Sequence, residues 1–261
     1  MLRIILRRRH GKGVRYLNVV DLFSGIGGFS LGFERAGLRT VAFCESDRFA
    51  RRVLRRHWPH LPCYGDIRTL STARLRADGI AKPDLLCGGF PCQDVSAAGR
   101  GAGLAGIRSG LWREMLRLID ECRPRWVVAE NVPTLRSRGA DTILAALEAI
   151  GYACWPLVVG AEHAGAPHRR RRVWIVAYAE SARLEEPLRR PAPQTPRLLV
   201  ERRRWWASEP GMDRVAHGLP SRVDRVRCLG NAIVPEVATY IGRAIMHIEA
   251  RGPSAPCCWR V

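Results

Sequence analysis

The sequence predicts an α/β fold built on a doubly wound, mainly parallel sheet. Short apolar runs of strand length alternate with amphipathic helical segments along most of the chain. Several of these runs lead directly into glycines or an acidic residue, as strands do where they end at a ligand-binding edge. The 261 residues, 47% of them hydrophobic, suffice for one substantial core with a small appendage.

The elements follow from these runs in chain order. Three of the predicted strands, at 84–87, 126–129 and 173–177, are predicted to be buried because their residues form apolar runs. We predict strands at 16–22, 39–44, 63–64, 84–87, 126–129, 152–159 and 173–177. Helices are predicted at 29–36, where Gly37 ends the helix, and at 111–122, 141–150 and 236–248.

The net charge of +19 and the pI near 10.9 point to a polyanionic partner, most often nucleic acid. A basic bias of the coding sequence is the alternative. Lys12 and Lys82 are the only lysines, so nearly all of the positive charge is arginine. Arginine is nonetheless the better group for bidentate phosphate and base contacts.

The nine cysteines do not resemble a disulfide framework or a zinc site, because they show no CxxC pair and no regular spacing. A reducing cytoplasm is therefore the expected compartment, and no metal is expected. No apolar run reaches transmembrane length, and residues 1–12 lack the apolar core of a signal peptide.

A glycine-rich turn follows the first predicted strand and opens the first helix, which is the arrangement of a nucleotide-type site. Glu45 ends the second strand about twenty residues later, where a carboxylate can accept hydrogen bonds from ribose hydroxyls. Asp66 follows the short third strand. Each acid alone is better explained as a helix cap or a solvated carboxylate, but in series they favour an adenosine site.

The stretch Gly88–Gln93 places Cys92 at the end of the strand at 84–87, where it is a candidate nucleophile. An isolated cysteine is more often a small buried hydrophobe, by roughly ten to one. The glycine-rich run 93–110 that follows is either a mobile lid or a simple connector.

The strand at 126–129 delivers Glu130 to the neighbouring position, as a proton donor or hydrogen-bond anchor. Arg170 and Arg172 precede the last strand and share one face by its two-residue period. A buried arginine needs an anionic or strongly polar partner, and Glu130 is the predicted one.

The composition changes after the last strand, where prolines interrupt a basic region containing Arg202, Arg203, Arg204 and two tryptophans. A nucleic-acid contact surface and a basic helix with core tryptophans are about equally supported. The predicted organisation is a basic arm (1–15), a catalytic domain (16–177), a short recognition region (178–222), a returning motif and helix (223–248) and a tail (249–261).

Taken as a set, five stretches in order resemble the bacterial and phage DNA cytosine-5 methyltransferases. The similarity runs from about Leu17 to Ile248 and rests on Asp21–Gly28, Gly89–Gln93, Glu130–Val132, Pro167–Arg172 and Gly230–Pro235. His168 stands where that family usually carries glutamine. The variable region between Ala177 and Gly230 is short for the family, which implies a reduced target-recognition region.

The resemblance implies a Rossmann-like methyltransferase fold and a role for each matching residue. Cys92 would be the nucleophile, and Glu130, Arg170 and Arg172 would hold the flipped base. The implied S-adenosylmethionine site comprises Phe23, Gly25, Gly27, Gly28, Glu45, Asp66, Ile67, Leu111 and Asn231. The expected substrate contacts are Pro91, Gln93, Asn131, His168, Arg202, Arg203 and Arg204.

The implied function is methylation of carbon 5 of cytosine in double-stranded DNA, in restriction–modification or in phage or host DNA protection. A monomer is expected, with a restriction endonuclease as a possible cognate partner. An RNA cytosine-5 methyltransferase and a DNA-binding protein with a decayed enzyme core are the rivals. An amino-methylating enzyme is disfavoured, because its Asn/Asp-Pro-Pro-aromatic loop is replaced here by Phe90–Gln93.

Overall fold

Seven strands of the described residues form one sheet with helices on both faces. The structure is a computed structural model, and it describes residues 16–91, 110–179 and 221–251. The strands are β1 (Asn18–Leu22), β2 (Arg39–Cys44), β3 (Cys63–Tyr64), β4 (Leu85–Gly88), β5 (Trp126–Asn131), β6 (Tyr152–Val159) and β7 (Arg172–Ala179). The helices are α1 (Gly28–Ala36), α2 (Arg48–His57), α3 (Thr72–Ala77), α4 (Leu111–Cys122), α5 (Leu135–Arg138), α6 (Ala140–Ala149), α7 (Arg222–Asn231) and α8 (Pro235–Arg251). Two 3₁₀ turns lie at Ile67–Thr69 and Ala161–Ala164.

The order of the strands brings the predicted site residues to one edge of the sheet. The order is β3-β2-β1-β4-β5-β7-β6, with the first five strands mutually parallel and β7 antiparallel to both β5 and β6. The chain direction across the sheet reverses between β1 and β4, which is where ligands bind in open α/β sheets. We call the edge at which β1, β2, β4 and β5 end the carboxyl edge. Because β7 is antiparallel, its first residue lies at this edge beside the last residues of β5.

The helices cover both faces of the sheet, which confirms the doubly wound α/β prediction. Alternate strand residues divide between two cores: Val20 and Leu22 join a core that includes α4, and Val19 joins one that includes α1 and α8. On that second face, Phe29 and Phe33 of α1 share a core with Val237, Ile241 and Ile245 of α8. The last helix therefore belongs to the same folded unit as the first strand.

The helix α4 coincides with its predicted bounds, whereas α2 and α7 were not predicted. Helix α2 is short and rich in arginine, but its apolar residues Phe49, Ala50, Val53 and Leu54 recur at helical spacing, and Ala50 and Leu54 are buried. Its start is fixed by Asp47, whose side chain accepts a hydrogen bond from the backbone N–H of Ala50 at 2.8 Å. Within the described residues, no helix is long and apolar enough to cross a membrane.

Candidate active site

The glycine turn between β1 and α1 forms one half of the site. Three residues of the turn adopt left-handed backbone conformations: Phe23 (φ 52°), Gly25 (φ 54°) and Gly27 (φ 88°). Glycine adopts this conformation without strain, whereas Phe23 does so at a cost. Ser24 ties the turn to both strands, since its hydroxyl donates to the carbonyl of Asp21 at 2.6 Å and accepts from the backbone N–H of Cys44 at 3.2 Å.

Glu45 links this turn to the end of β2. One carboxylate oxygen accepts the backbone N–H of Gly25 at 2.7 Å, and the other accepts that of Asp47 at 2.7 Å. A carboxylate has about four lone-pair positions, so acceptor capacity remains after two bonds. A Cβ placed on Gly25 would meet no atom within 4 Å, so the turn is open at that point. The turn and Glu45 therefore form a cradle that is open at Gly25.

Four other predicted cofactor residues differ in their exposure and in the elements on which they lie. Asp66 is partly exposed, caps the turn at Ile67–Thr69 through the backbone N–H of Arg68, and forms an ion pair with the Arg68 side chain at 2.8 Å. The side chain of Ile67 is buried in the core, Leu111 is half-buried at the start of α4, and Asn231 is exposed at the end of α7. The cofactor roles of these four residues stay predictions.

Helix α7 is held beside the cradle, although Asn231 itself is exposed. Arg227 donates to Asp47 at 2.5 Å, and Asp47 follows Glu45 by two positions. Arg227 also pairs with Asp224 of its own helix at 3.0 Å. The motif that begins at Gly230 is thus delivered to the carboxyl edge from a distant part of the sequence.

Glu130 and Arg172 form the centre of the second half. Glu130 lies within β5, opposite Trp174 of β7, and its carboxylate contacts the Arg172 guanidinium at 3.0 Å. The Glu130 side chain is 11% exposed. Burial raises the pKa of Glu130 to about 7, and the positive charges of Arg172 and Arg170 oppose that rise. A carboxyl group with this pKa can hold a proton at neutral pH.

Arg170 lies just outside β7 and contacts the C-terminal segment. Its backbone is left-handed (φ 26°), so the two-residue strand period behind its prediction does not extend to it. Its guanidinium donates to the carbonyl of Ala232 at 2.7 Å, and its charge acts on Glu130 without a direct bond among the described residues. Burial and the neighbouring Arg172 lower the pKa of Arg170 from its ordinary value.

A short C-terminal segment joins the two halves. A Cβ on Gly28 would lie 2.7 Å from the Ile233 carbonyl oxygen, so this segment packs directly on the glycine turn. A Cβ on Gly89 would lie 3.0 Å from Oε2 of Glu130 and 3.6 Å from Cδ1 of Ile233. Gly89, which precedes Cys92 by three positions, therefore lies against both the acid and the C-terminal segment.

Asn131 is buried, 3% exposed, and its side chain faces the protein backbone. The amide nitrogen donates to the carbonyl of Phe90 at 3.0 Å, and the amide oxygen accepts the N–H of Val132 at 2.8 Å. This placement favours positioning of the 88–91 segment over the direct substrate contact that the sequence suggested. Pro91 is exposed at the end of that segment, and His168 is half-buried.

Several predicted residues lie outside the described residues. They are Cys92 and Gln93, together with Arg202, Arg203 and Arg204. Their predicted roles therefore stay predictions. Glu130 nevertheless lies beside Gly89 on the neighbouring strand, as the sequence predicted from the strand ends.

Sequence reasoning missed three features of this edge. Asp21 is fully buried, accepts the Ser30 hydroxyl at 2.7 Å, and has a pKa raised to about 7 by burial. The Ala232 carbonyl anchors Arg170, and the Arg227–Asp47 pair anchors α7. The first was signalled only by an acid inside an apolar strand, and a sequence gives no sign of the other two.

A family model described as C-5 cytosine-specific DNA methylase matches residues 17–204. Type II methyltransferase M2.BsuMI of Bacillus subtilis (strain 168) is 37% identical over 169 residues, which are 62% of this chain and 42% of that protein. Type II methyltransferase M.NgoBI of Neisseria gonorrhoeae is 32% identical over 166 residues, covering 62% of this chain and 50% of that protein. The chain thus spans about half the length of the curated relatives it matches.

Solved structures give the same picture of the fold. A DNA modification methyltransferase encoded within a prophage (E. coli) matches with a TM-score of 0.54 and 29% identity, over 63% of this chain and 47% of that one. The S. pombe Dnmt2 methyltransferase matches with a TM-score of 0.53 and 21% identity, over 62% and 51% of the two chains. These likenesses confirm the predicted Rossmann-like methyltransferase fold.

Proposed function

The chain belongs to the C-5 cytosine-specific DNA methylase family, and we propose that it methylates carbon 5 of cytosine in DNA from S-adenosylmethionine. The observation that carries this proposal is the placement of Glu130. Its buried carboxylate pairs with Arg172 and lies against Gly89, three positions before Cys92. An acid and a cation thus lie beside Gly89, three positions before the candidate thiol nucleophile in the sequence.

The residues of the glycine turn fit S-adenosylmethionine. Gly25 leaves open space above the turn, and the Glu45 carboxylate beside it retains acceptor capacity for ribose hydroxyls. The half-buried ring of Phe23 offers an apolar surface next to that space. When bound, S-adenosylmethionine supplies an electrophilic methyl group, which carbon 5 of the target base accepts.

Cys92 is proposed to activate the base. Carbon 5 of cytosine is a poor nucleophile until the ring is made electron-rich. Attack of the Cys92 thiolate on carbon 6 forms a carbon–sulfur bond and moves the electron pair of the 5,6 double bond towards carbon 5 and the ring. After methylation, loss of the carbon 5 proton restores that double bond and expels the thiolate.

Glu130 and Arg172 stabilise the charge that this attack creates. With its pKa near 7, Glu130 can carry a proton and donate it to ring nitrogen 3 as negative charge builds there. Its remaining oxygen can accept from the exocyclic amine. Arg172 bonds to Glu130 through Nε and to the carbonyl of Arg171 through Nη1 at 2.9 Å, so Nη2 is the nitrogen proposed to reach the carbonyl oxygen of the base. Arg170 holds the Ala232 carbonyl and adds positive charge that favours the Cys92 thiolate.

Double-stranded DNA is the proposed substrate, and the target base must leave the stack. Carbon 5 and carbon 6 are inaccessible to this chemistry in a duplex, and extruding a base costs a few kcal/mol. The net charge of +19 supports binding to the phosphate backbone. The Type II methyltransferase names of the relatives support a role in restriction–modification or DNA protection. The proposed recognition region is 178–222, and the proposed partner is a cognate restriction endonuclease.

Transfer of a radiolabelled methyl group to unmethylated duplex DNA tests the proposal. We expect label in DNA cytosine and not in tRNA, and no transfer by Cys92→Ser. Bisulfite sequencing of DNA from cells that express the protein would then give the target sequence. Label in tRNA alone, or full activity of Cys92→Ser, would contradict the proposal. DNA binding without transfer by the wild type would favour a decayed enzyme core.

A further inference from the structure

An arginine-lined cleft lies at the carboxyl edge, beside the candidate active site. It has a volume of about 460 Å³ and is lined by Pro133, Arg136, Ser137, Val158 and Arg171. We call it the arginine cleft. Its walls come from the turn after β5, from α5, from the end of β6 and from the residue before β7. None of these five residues is part of the proposed chemistry.

The sheet register gives the distance between the arginine cleft and Glu130. Val158 of β6 pairs with Val173 of β7, which pairs with Asn131 of β5, the residue after Glu130. Two strand spacings of about 4.8 Å separate β5 from β6, so the cleft lies about 10 Å from the acid. A DNA strand advances about 3.4 Å per nucleotide along the helix axis. The cleft therefore lies within about three nucleotides of a base held at Glu130.

The two arginines leave their terminal nitrogens available to a ligand. Arg171 donates through Nε to Glu162 at 3.1 Å, and no other bond among the described residues uses its side chain. Arg136 is exposed and enters no ion pair between described residues. The two guanidinium groups are donors that suit phosphate oxygens, whereas the Ser137 hydroxyl donates to the carbonyl of Thr134 at 3.3 Å. The cleft is open to solvent, so a polymer backbone suits it better than a small molecule that would have to be enclosed.

We propose that the arginine cleft binds a phosphodiester of the DNA strand that carries the target cytosine. This inference rests on the proposed function and names a contact that holds the strand beside the extruded base. The Glu162 carboxylate offsets part of the charge of Arg171 and so limits the affinity of the cleft for phosphate. Phosphate contacts of this kind position the duplex without reading its sequence.

The salt dependence of DNA binding by the full chain tests the inference. The logarithm of the DNA-binding constant falls as the logarithm of the salt concentration rises. We expect Arg136→Gln and Arg171→Gln each to reduce the magnitude of this negative slope by about one. Arg136→Lys should retain the wild-type slope, because a point charge suffices for this contact. Glu162→Gln should strengthen binding at low salt. The matched control is Arg39→Gln, an exposed arginine at the start of β2, on the opposite edge of the sheet.

The readouts separate this inference from the proposed function. Cleft variants should raise KM for DNA and leave kcat at saturating DNA unchanged, with thermal unfolding equal to that of the wild type. The cleft inference alone is overturned if the wild type methylates DNA and the salt slopes of Arg136→Gln and Arg171→Gln equal that of Arg39→Gln. A wild type that neither binds nor methylates DNA overturns both. A lowered slope in both cleft variants with an unchanged slope in Arg39→Gln supports the cleft.

Discussion

The two halves of the carboxyl edge are held by contacts of very different sequence range. In the cofactor half, Ser24 contacts Cys44 and Gly25 contacts Glu45, each pair 20 residues apart. In the substrate half, Asn131 holds Phe90 across 41 residues and Arg170 holds Ala232 across 62. The cofactor half is thus built largely from one strand–turn–helix–strand unit, whereas the substrate half forms only when the whole sheet and the C-terminal segment are assembled.

Their buried acids differ in the same way. Asp21 lies beneath the cofactor half and accepts a hydrogen bond from the Ser30 hydroxyl, while its other carboxylate oxygen has no hydrogen-bond partner among the described residues. Glu130 in the substrate half faces two arginines. Both acids have a pKa near 7, but Asp21 is fully buried, whereas Glu130 contacts Arg172 at the proposed active site. We therefore expect Asp21 to affect stability and Glu130 to affect catalysis.

The largest predicted effect is that of the Asp21→Asn substitution on the pH dependence of the free energy of unfolding. Burial raises the Asp21 pKa from 3.8 to about 7, so the folded state binds this proton more tightly than the unfolded state. Its stabilising contribution is full below pH 3.8 and is lost as pH rises to about 7. That loss amounts to about 4 kcal/mol, and Asn, which cannot ionise, removes it.

Urea unfolding between pH 4 and pH 8 measures this difference. The free energy of unfolding of Asp21→Asn should fall less with rising pH than that of the wild type. Asp120→Asn, at an exposed carboxylate, is the control and should follow the wild type. Parallel profiles for Asp21→Asn and the wild type would show that the buried acid does not titrate in this range.

Glu130→Gln should lower kcat by about 10²- to 10³-fold, because the variant cannot transfer a proton to the base. In the wild type, kcat should fall as pH rises through about 7, where Glu130 loses its proton. That descending limb should be missing from the residual activity of Glu130→Gln. Glu148→Gln, at an exposed site on α6, is the control. Retention of the descending limb in Glu130→Gln would assign it to another group.

Gly32→Ala tests the packing that joins the two halves. The added Cβ would lie 2.3 Å from the Pro235 carbonyl oxygen and 2.6 Å from Cβ of Ala238, both on α8. Overpacking of this kind costs about 1–3 kcal/mol, which outweighs the gain in helix propensity. Gly230→Ala, where no atom lies within 4 Å, should be neutral or slightly stabilising. Equal denaturation midpoints for the two variants would contradict close α1–α8 packing.

Asn131→Ala should have the smallest of these effects, a drop in kcat of about tenfold that corresponds to one hydrogen bond. The side chain holds the Phe90 carbonyl ahead of the Cys92 loop, so KM for S-adenosylmethionine should not change. Asn131→Asp keeps an acceptor for the Val132 N–H but cannot donate as a carboxylate, so it should be equally impaired. Wild-type kcat in Asn131→Asp would rule out the proposed bond to Phe90 as the source of the effect.

The sequence was most informative where a residue's role depends on its near neighbours. The glycine turn, Glu45 and α4 were predicted because strand ends, glycines and apolar periodicity are local patterns. Glu130 was predicted next to the end of the strand at 84–87 because parallel strands end at one edge, and it lies beside Gly89 there. The bond between Arg170 and Ala232 was not predicted, since it depends on a segment 62 residues away.

The arginine-rich helix α2 shows a second limit. Its apolar residues Phe49, Ala50, Val53 and Leu54 recur at helical spacing, but the packing of Trp58, at the end of this helix, against Gly27 is a tertiary contact that the sequence does not show. Helix α7 exposes Val223, Val226 and Leu229, and such a surface has no amphipathic pattern to predict it from. Both helices are positioned by ion pairs and caps around Asp47.

Trapping on duplex DNA that contains 5-fluorocytosine tests the central claim most directly. Fluorine cannot leave carbon 5 as a proton does, so an adduct that forms through carbon 6 persists after methyl transfer. With S-adenosylmethionine present, the wild type should give a covalent complex that survives denaturation, and Cys92→Ser should give none. A wild type that methylates DNA without forming the complex, or a complex formed by Cys92→Ser, would contradict the proposed attack by this thiol.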